Sequence, residues 1–247
     1  MKASDFGHNR TLEKSPSIAN DRFQYNMKKT SVEVQGKFLT NFSFSVKENT
    51  PEFLLPWLTD WLRSYIFSGA DFFDGQFVQF GYWKILCKIN GTQLHLLGPD
   101  SLAMPIKWID DLSAVFHSTM VHKYMPESYG LEIDIPKATD TVTVGWDFDK
   151  FPMFINRMIR IKNSMDSGWF FGSKSDGIDN NDLSQLSVMS LHEATLRAPW
   201  IHDFVSLPVD TQVIFDDAIP VVLRDYSPVQ PASGSYMAHR LTQRSTL

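Results

Sequence analysis

The residues of this chain that could do chemistry are seven histidines, one cysteine and a run of acids. His8, His95, His117, His122, His192, His202 and His239 include no pair at i, i+4 with the intervening glutamate that a helical zinc site needs. His192-Glu193 does not open an H-E-x-x-H motif, because Leu196 stands where the second histidine would fall. Gly172-Ser173-Lys174-Ser175 lacks the G-x-S-x-G elbow that presents a nucleophilic serine. No G-x-x-x-x-G-K-[ST] or G-x-G-x-x-G stretch offers backbone N–H groups to a nucleotide phosphate. Cys87 stands among Ile85, Leu86 and Ile89, apolar neighbours that disfavour a thiolate, so it reads as an inert core thiol. The sequence thus predicts no catalytic residue, no metal site and no cofactor.

The acids are Asp176, Asp179 and Asp182, with Asn180 and Asn181 between them. As a calcium loop the run fails, since its glycine is misplaced and Ser187 occupies the position of the bidentate glutamate. It reads either as a solvated turn or as a docking surface for a basic partner, with Asp176, Asp179, Asn180, Asp182 and Glu193 as the contact residues. Trp169-Phe170-Phe171 could stack on bases, but with no basic residues around them they read as core. Any exposed member of Trp83, Trp108, Trp146 and Trp200 is a candidate anchor for a partner protein.

These residues are positioned by a predicted α+β fold of two domains, mostly antiparallel sheets with packed helices. Residues 1–29 read as a flexible arm, 30–140 as one α+β domain, 141–225 as a second, and 226–247 as an extended tail. Ser31 to Lys47 alternates as a strand pair; Phe53 to Ser68 has helical spacing and ends at Gly69. Phe77 to Asn90 and Gln93 to Leu97 form a hairpin around Asn90-Gly91. Part of Ile106 to Val121 is expected to be helical; Leu131 to Ile135 and Thr141 to Trp146 read as strands. A helix is expected over Asp147 to Lys162 and another over Leu183 to Pro199, with closing strands at Thr211 to Phe215 and Ile219 to Leu223. Between those helices, Met165 to Ser173 (M-D-S-G-W-F-F-G-S) reads as a tight turn feeding a buried strand.

That stretch, with the acidic loop after it, Ala198-Pro199-Trp200 and the closing L-P-V-D-T-Q-V-I-F, resembles the immunity protein 33-like domain of bacterial toxin–immunity systems. The likeness covers Asn163 to Phe215, and D-S-G-W-x-F is its specific core. The resemblance implies a small α+β domain that binds and neutralises a cognate secreted toxin, often one delivered by a type VI secretion apparatus. The family carries glycine in the turn before its last strand, where this chain has Asp210.

A chain of 247 residues with 43% hydrophobic content can bury a full core. Its net charge of −5 argues against a nucleic-acid partner, which calls for a basic face, and suits a basic protein partner. With no apolar leader and no membrane-length apolar run, the expected location is the cytoplasm. The function expected is therefore non-enzymatic occlusion of a toxin that is basic around its active site. The alternative is a small-molecule-binding or hydrolytic protein whose inter-domain cleft gathers His117, His122 and His192.

Overall fold

The structure is a computed structural model, and it describes residues 26–34, 39–216 and 219–244. Most of the expected N-terminal arm lies outside these residues. The described chain is α+β.

The first sheet begins with β1 (Met27–Glu33) and β2 (Asn41–Lys47), paired antiparallel. A short 3-10 turn at Glu52–Leu54 then leads into α1 (Leu55–Phe67), whose Leu58, Leu62 and Ile66 are buried and which Gly69 follows. β3 (Phe77–Phe80) turns at Gly81-Tyr82 into β4 (Trp83–Asn90), so the apolar run read as one strand is itself a hairpin. β4 pairs with β5 (Gln93–Pro99) across the expected turn, with Asn90 opposite Gln93. β6 (Trp108–Ile109) joins β5, and the sheet order is β1-β2-β5-β4-β3. α2 (Ser113–Ser128) starts later than the spacing suggested, where the Asp111 carboxylate accepts the Ser113 N–H at 2.8 Å. It packs on β2 and β5. Leu131 to Ile135 forms no strand. Its Asp134 N–H donates to the Ser206 carbonyl, and its carboxylate takes Arg157 and Arg160.

The second sheet holds β7 (Thr141–Gly145), β8 (Met153–Arg157), β9 (Asp166–Ser173) and β10 (Leu186–Ser190), then, after α3 (Leu191–Arg197), β11 (Thr211–Phe215), β12 (Val221–Arg224) and β13 (Ser227–Val229). Its order is β10-β7-β9-β8-β11-β12-β13, parallel only between β7 and β9. The helix expected over Asp147 to Lys162 is replaced by a turn and β8. Pro152 disfavours a helical Phe151, and Met153, Ile155 and Arg157 bury one face while Phe154 and Asn156 lie on the other. The helix expected over Leu183 to Pro199 is helical only from Leu191, because β10 takes the sheet edge first. The tail read as extended contains β13 and a helix, α4 (Tyr236–Arg244), whose Met237 is buried and which packs on α2.

The second sheet turns Val142, Val144, Met153, Ile155, Trp169, Phe171, Val213, Phe215 and Val222 inward, all buried. Together with the first sheet's Phe42, Phe44, Ile85 and Leu96 they form one continuous hydrophobic cluster, so the two sheets share a core. The 3-10 segment Pro199–Phe204 packs against α2 and α3.

Candidate functional site

The D-S-G-W turn uses its polar groups on itself. The Asp166 carboxylate accepts the Gly168 N–H at 2.9 Å, and Ser167 Oγ accepts the Trp169 N–H at 3.2 Å. Gly168 has φ +75, and a Cβ there would stand 2.4 Å from the Met158 carbonyl oxygen, so no other residue fits. Trp169 is buried, its indole N–H donates to the Val205 carbonyl at 2.9 Å, and the buried Arg157 guanidinium lies 5.1 Å from its ring. Asp210, standing where the resembled family has glycine, adopts φ 63, a left-handed conformation that aspartate tolerates better than most side chains.

The acidic loop follows β9 directly, and its members do different things. Asp176 is exposed and has no hydrogen-bond or ion-pair partner among the described residues. Asp179 is exposed and accepts the Asn181 N–H at 2.9 Å. Asp182 accepts from the Ser184 hydroxyl at 2.8 Å, the Ser184 N–H at 2.9 Å and the Gln185 amide at 3.1 Å, bonds that hold its carboxyl below the usual value. Asn180, expected among the contact residues, serves the chain instead. Its Nδ2 donates to the Ser173 carbonyl at 2.7 Å and its Oδ1 accepts the Ser173 N–H at 3.1 Å, pairing with the end of β9 as a strand residue would. Glu193 sits in the first turn of α3, where Ser190 Oγ accepts its N–H at 3.1 Å. The structure thus joins Asp176, Asp179 and Asp182 in one loop and places Glu193 one strand further on.

Strand register shows what this loop borders. On the outer face of the second sheet, Val188 lies opposite Thr143, Thr143 opposite Phe170, and Phe170 opposite Asn156. In the next row Gly172 lies opposite Phe154, Phe154 opposite Ile214, and Ile214 opposite Val221. Phe154 and Phe170 are half-buried with ring centroids 5.9 Å apart, and Val188 and Val221 are 68% and 42% exposed. Gly172 makes room for this arrangement: a Cβ there would meet the Phe154 ring at 2.4 Å and Asn180 Oδ1 at 2.8 Å. The loop is therefore folded over the rim of an apolar face, with Trp146, 58% exposed, beside β10 through its N–H to Gln185. Sequence reading missed Phe154, Phe170, Ile214, Val188 and Val221; the available signal was the period-two alternation through Phe170 and Phe154.

A second polar region lies against α2, where His117 and Ser118 of that helix, His192 of α3, and His202 and Asp203 of the 3-10 segment line a cavity of about 560 Å³. Of the alternative reading's histidines, His117 and His192 line this cavity, while His122 is fully buried with its ring 4.6 Å from that of His202. Trp83 Nε1–H donates to Ser118 Oγ at 2.9 Å, and Ser118 Oγ lies 3.1 Å from His202 Nε2. His202 Nδ1 is 3.8 Å from the Asp203 carboxylate, too far for a hydrogen bond, and Asp203 is held by Arg240 of α4. His122 Nε2–H donates to the His202 carbonyl at 2.9 Å, leaving a buried Nδ1 without a partner. His192 Nε2–H donates to the Ala103 carbonyl at 3.0 Å. Burial, reinforced by neighbouring His202, holds His122 well below the ordinary histidine value; burial also lowers His192. A hydroxyl beside an imidazole can be a nucleophile and its base. Here the hydroxyl also accepts the Trp83 N–H, and the residue is itself buried within α2, so the group bridges the first sheet, α2 and the 3-10 segment.

Cys87 is buried, and burial pushes its thiol up to about 12. Among the described residues no three His, Cys, Asp or Glu side chains are grouped to hold a metal ion, and no helix is long and apolar enough to cross a membrane. No protein-family model, curated protein or solved structure matches this chain.

Proposed function

We propose that this chain is an immunity protein, binding a cognate bacterial toxin stoichiometrically and covering its active site. The observation that carries the reading is the outer face of the second sheet: Phe154, Phe170, Ile214 and Val221 on an apolar floor, Val188 at its edge and Asp176 and Asp179 on the adjoining loop. An apolar centre with a charged rim is the anatomy of a protein–protein interface, and the sign of the rim suits a toxin that is basic around its active site. The D-S-G-W-F-F resemblance supports the same reading, because its residues build β9, the strand that carries Phe170 outward. In this role the buried aromatics on the inner face keep the sheet rigid, so little order is lost on binding. Type VI delivery of the toxin belongs to the proposal through that resemblance. The test is co-expression with the secreted protein encoded by the adjacent reading frame. Rescue of growth and co-purification are expected; a toxin that still kills and does not co-purify would end this reading.

A second reading, a small-molecule or hydrolytic site, is favoured by the Ser118–His202 contact at the 560 Å³ cavity. Incubation with a fluorophosphonate followed by mass spectrometry distinguishes it: labelling of Ser118 supports it, and no labelling leaves the pair a structural bridge.

A further inference from the structure

We infer that β10 is the strand onto which the toxin adds an extended basic segment of its own, an inference that rests on the inhibitor reading and specifies how it works. β10 ends the sheet order on one side and β13 on the other. The β13 edge is three residues long and contains Pro228, which cannot donate to a ladder. β10, with the sequence L-S-V-M-S, has no proline and no charge to repel an incoming strand.

The ladder also leaves the right groups open. Trp146 N–H donates to the Gln185 carbonyl and Leu191 N–H to the Asp140 carbonyl, which places Gln185, Ser187, Met189 and Leu191 in bonded pairs with β7 and its flanks. In an antiparallel pair the alternate residues point their backbone groups away, so Leu186, Val188 and Ser190 face outward. The Leu186 N–H is taken by the Leu183 carbonyl. Among the described residues the Val188 N–H and C=O, the Leu186 C=O and the Ser190 N–H have no partner, a set that one added strand would satisfy.

Side chains specify the occupant. From Ser175 to Glu193 the chain carries Asp176, Asp179, Asp182 and Glu193 and no Lys or Arg. The nearest lysine, Lys174, is already paired with Asp216 at 2.5 Å. Beside the start of β10 lies a cavity of about 250 Å³ lined by Ser187, Trp146, Phe148, Ile178 and Asp147, with Arg197 at its wall but paired to Asp149 at 2.8 Å. Exposed Trp146 can cover the aliphatic stem of a lysine or arginine from the added strand. Backbone bonds give such a contact its affinity, and alternate side chains its choice of partner.

The experiment titrates the wild-type chain and Val188→Pro with a catalytically inactive form of the secreted protein encoded next to it. Hydrogen exchange is followed at the Val188 and Ser190 amides. The substitution removes an outward N–H and spares the ladder to β7; a thermal melt checks that it folds. Expected are at least a tenfold slowing of exchange at both amides in the complex and an affinity loss of about tenfold for Val188→Pro, the cost of one interfacial hydrogen bond. Should Val188→Pro fail to fold, exchange in the wild-type complex decides alone. A complex with unchanged exchange at these amides, or with undiminished affinity in a folded Val188→Pro, overturns the edge inference and leaves the inhibitor reading standing. Absence of any complex with the wild-type chain overturns both.

Discussion

The cavity against α2 and the outer face of the second sheet are built on opposite terms. In the cavity, polar groups are turned on one another: Trp83 to Ser118, Ser118 to His202, His122 to the His202 carbonyl, Arg240 to Asp203. On the outer face, Phe154 and Phe170 are half-buried and Val188 is exposed, the outward backbone groups of Val188 on β10 have no partner among the described residues, and Asp176 has no hydrogen-bond or ion-pair partner there. A cluster of histidines catches the eye as chemistry, yet the rings of His122, His192 and His202 bond to groups of the chain itself. The surface that looks plain in sequence is the one whose edge-strand backbone groups at Val188 are open among the described residues.

Adjacent residues of β9 give the largest expected effects and separate the two terms. Phe171→Ala empties a fully buried inner site and should cost about 3–5 kcal/mol, read as a large fall in the denaturant midpoint. Phe170→Ala, one residue away on the opposite face, should cost about 1 kcal/mol of stability while removing most toxin affinity. Equal stability losses would mean that the outer face is packed rather than open.

Ser118→Ala leaves the Trp83 N–H and His202 without their shared partner, and a loss of about 1–3 kcal/mol is expected in chemical unfolding, with toxin binding unchanged. A neutral effect would show that the bridge does not hold the first sheet, α2 and the 3-10 segment together.

The cavity should also make stability depend on pH. Burial keeps the folded pKa of His122 and His192 below the unfolded value, so the unfolded chain takes up protons first as pH falls. Their stabilisation is complete above about pH 6.5 and declines below it, toward their depressed folded values, by up to about 1.4 kcal/mol per pH unit for each histidine. Melts at pH 7.5 and pH 5, with His122→Gln as the comparison, should show the mutant's slope flattened; parallel slopes would remove His122 from the account.

The smallest effect belongs to the loop. Replacing Asp176 and Asp179 with Asn should change stability by less than about 0.5 kcal/mol, slow toxin association a few-fold at low salt and weaken its salt dependence. Unaltered association kinetics would move the charged rim elsewhere.

Local signals made much of this fold legible in sequence. Asn90-Gly91 marked a hairpin, Gly69 ended α1, and D-S-G-W-F-F marked a turn and a buried strand. Expectation failed where one pattern suits two periods. Phe151, Phe154, Ile155, Met158 and Ile159 match helical spacing, but Pro152 and a core-facing Arg157 make the segment β8. α4 was hidden in a polar tail because its docking rests on Met237 and on Arg240 reaching Asp203. Of the candidate site, the acids could be read from composition. The floor could not, since Phe154, Phe170 and Ile214 become neighbours only through the register of three strands, one of them, β11, far from the other two in the chain.

The central claim is that a protein docks on the outer face while the cavity serves the fold. Calorimetric titration of the inactive toxin into wild type, Phe170→Lys and His117→Ala, each folded at the working temperature, tests it most directly. The account predicts tight binding by wild type and His117→Ala, and a loss of about a hundredfold or more for Phe170→Lys. Wild-type affinity in Phe170→Lys, or a loss confined to His117→Ala, would contradict it.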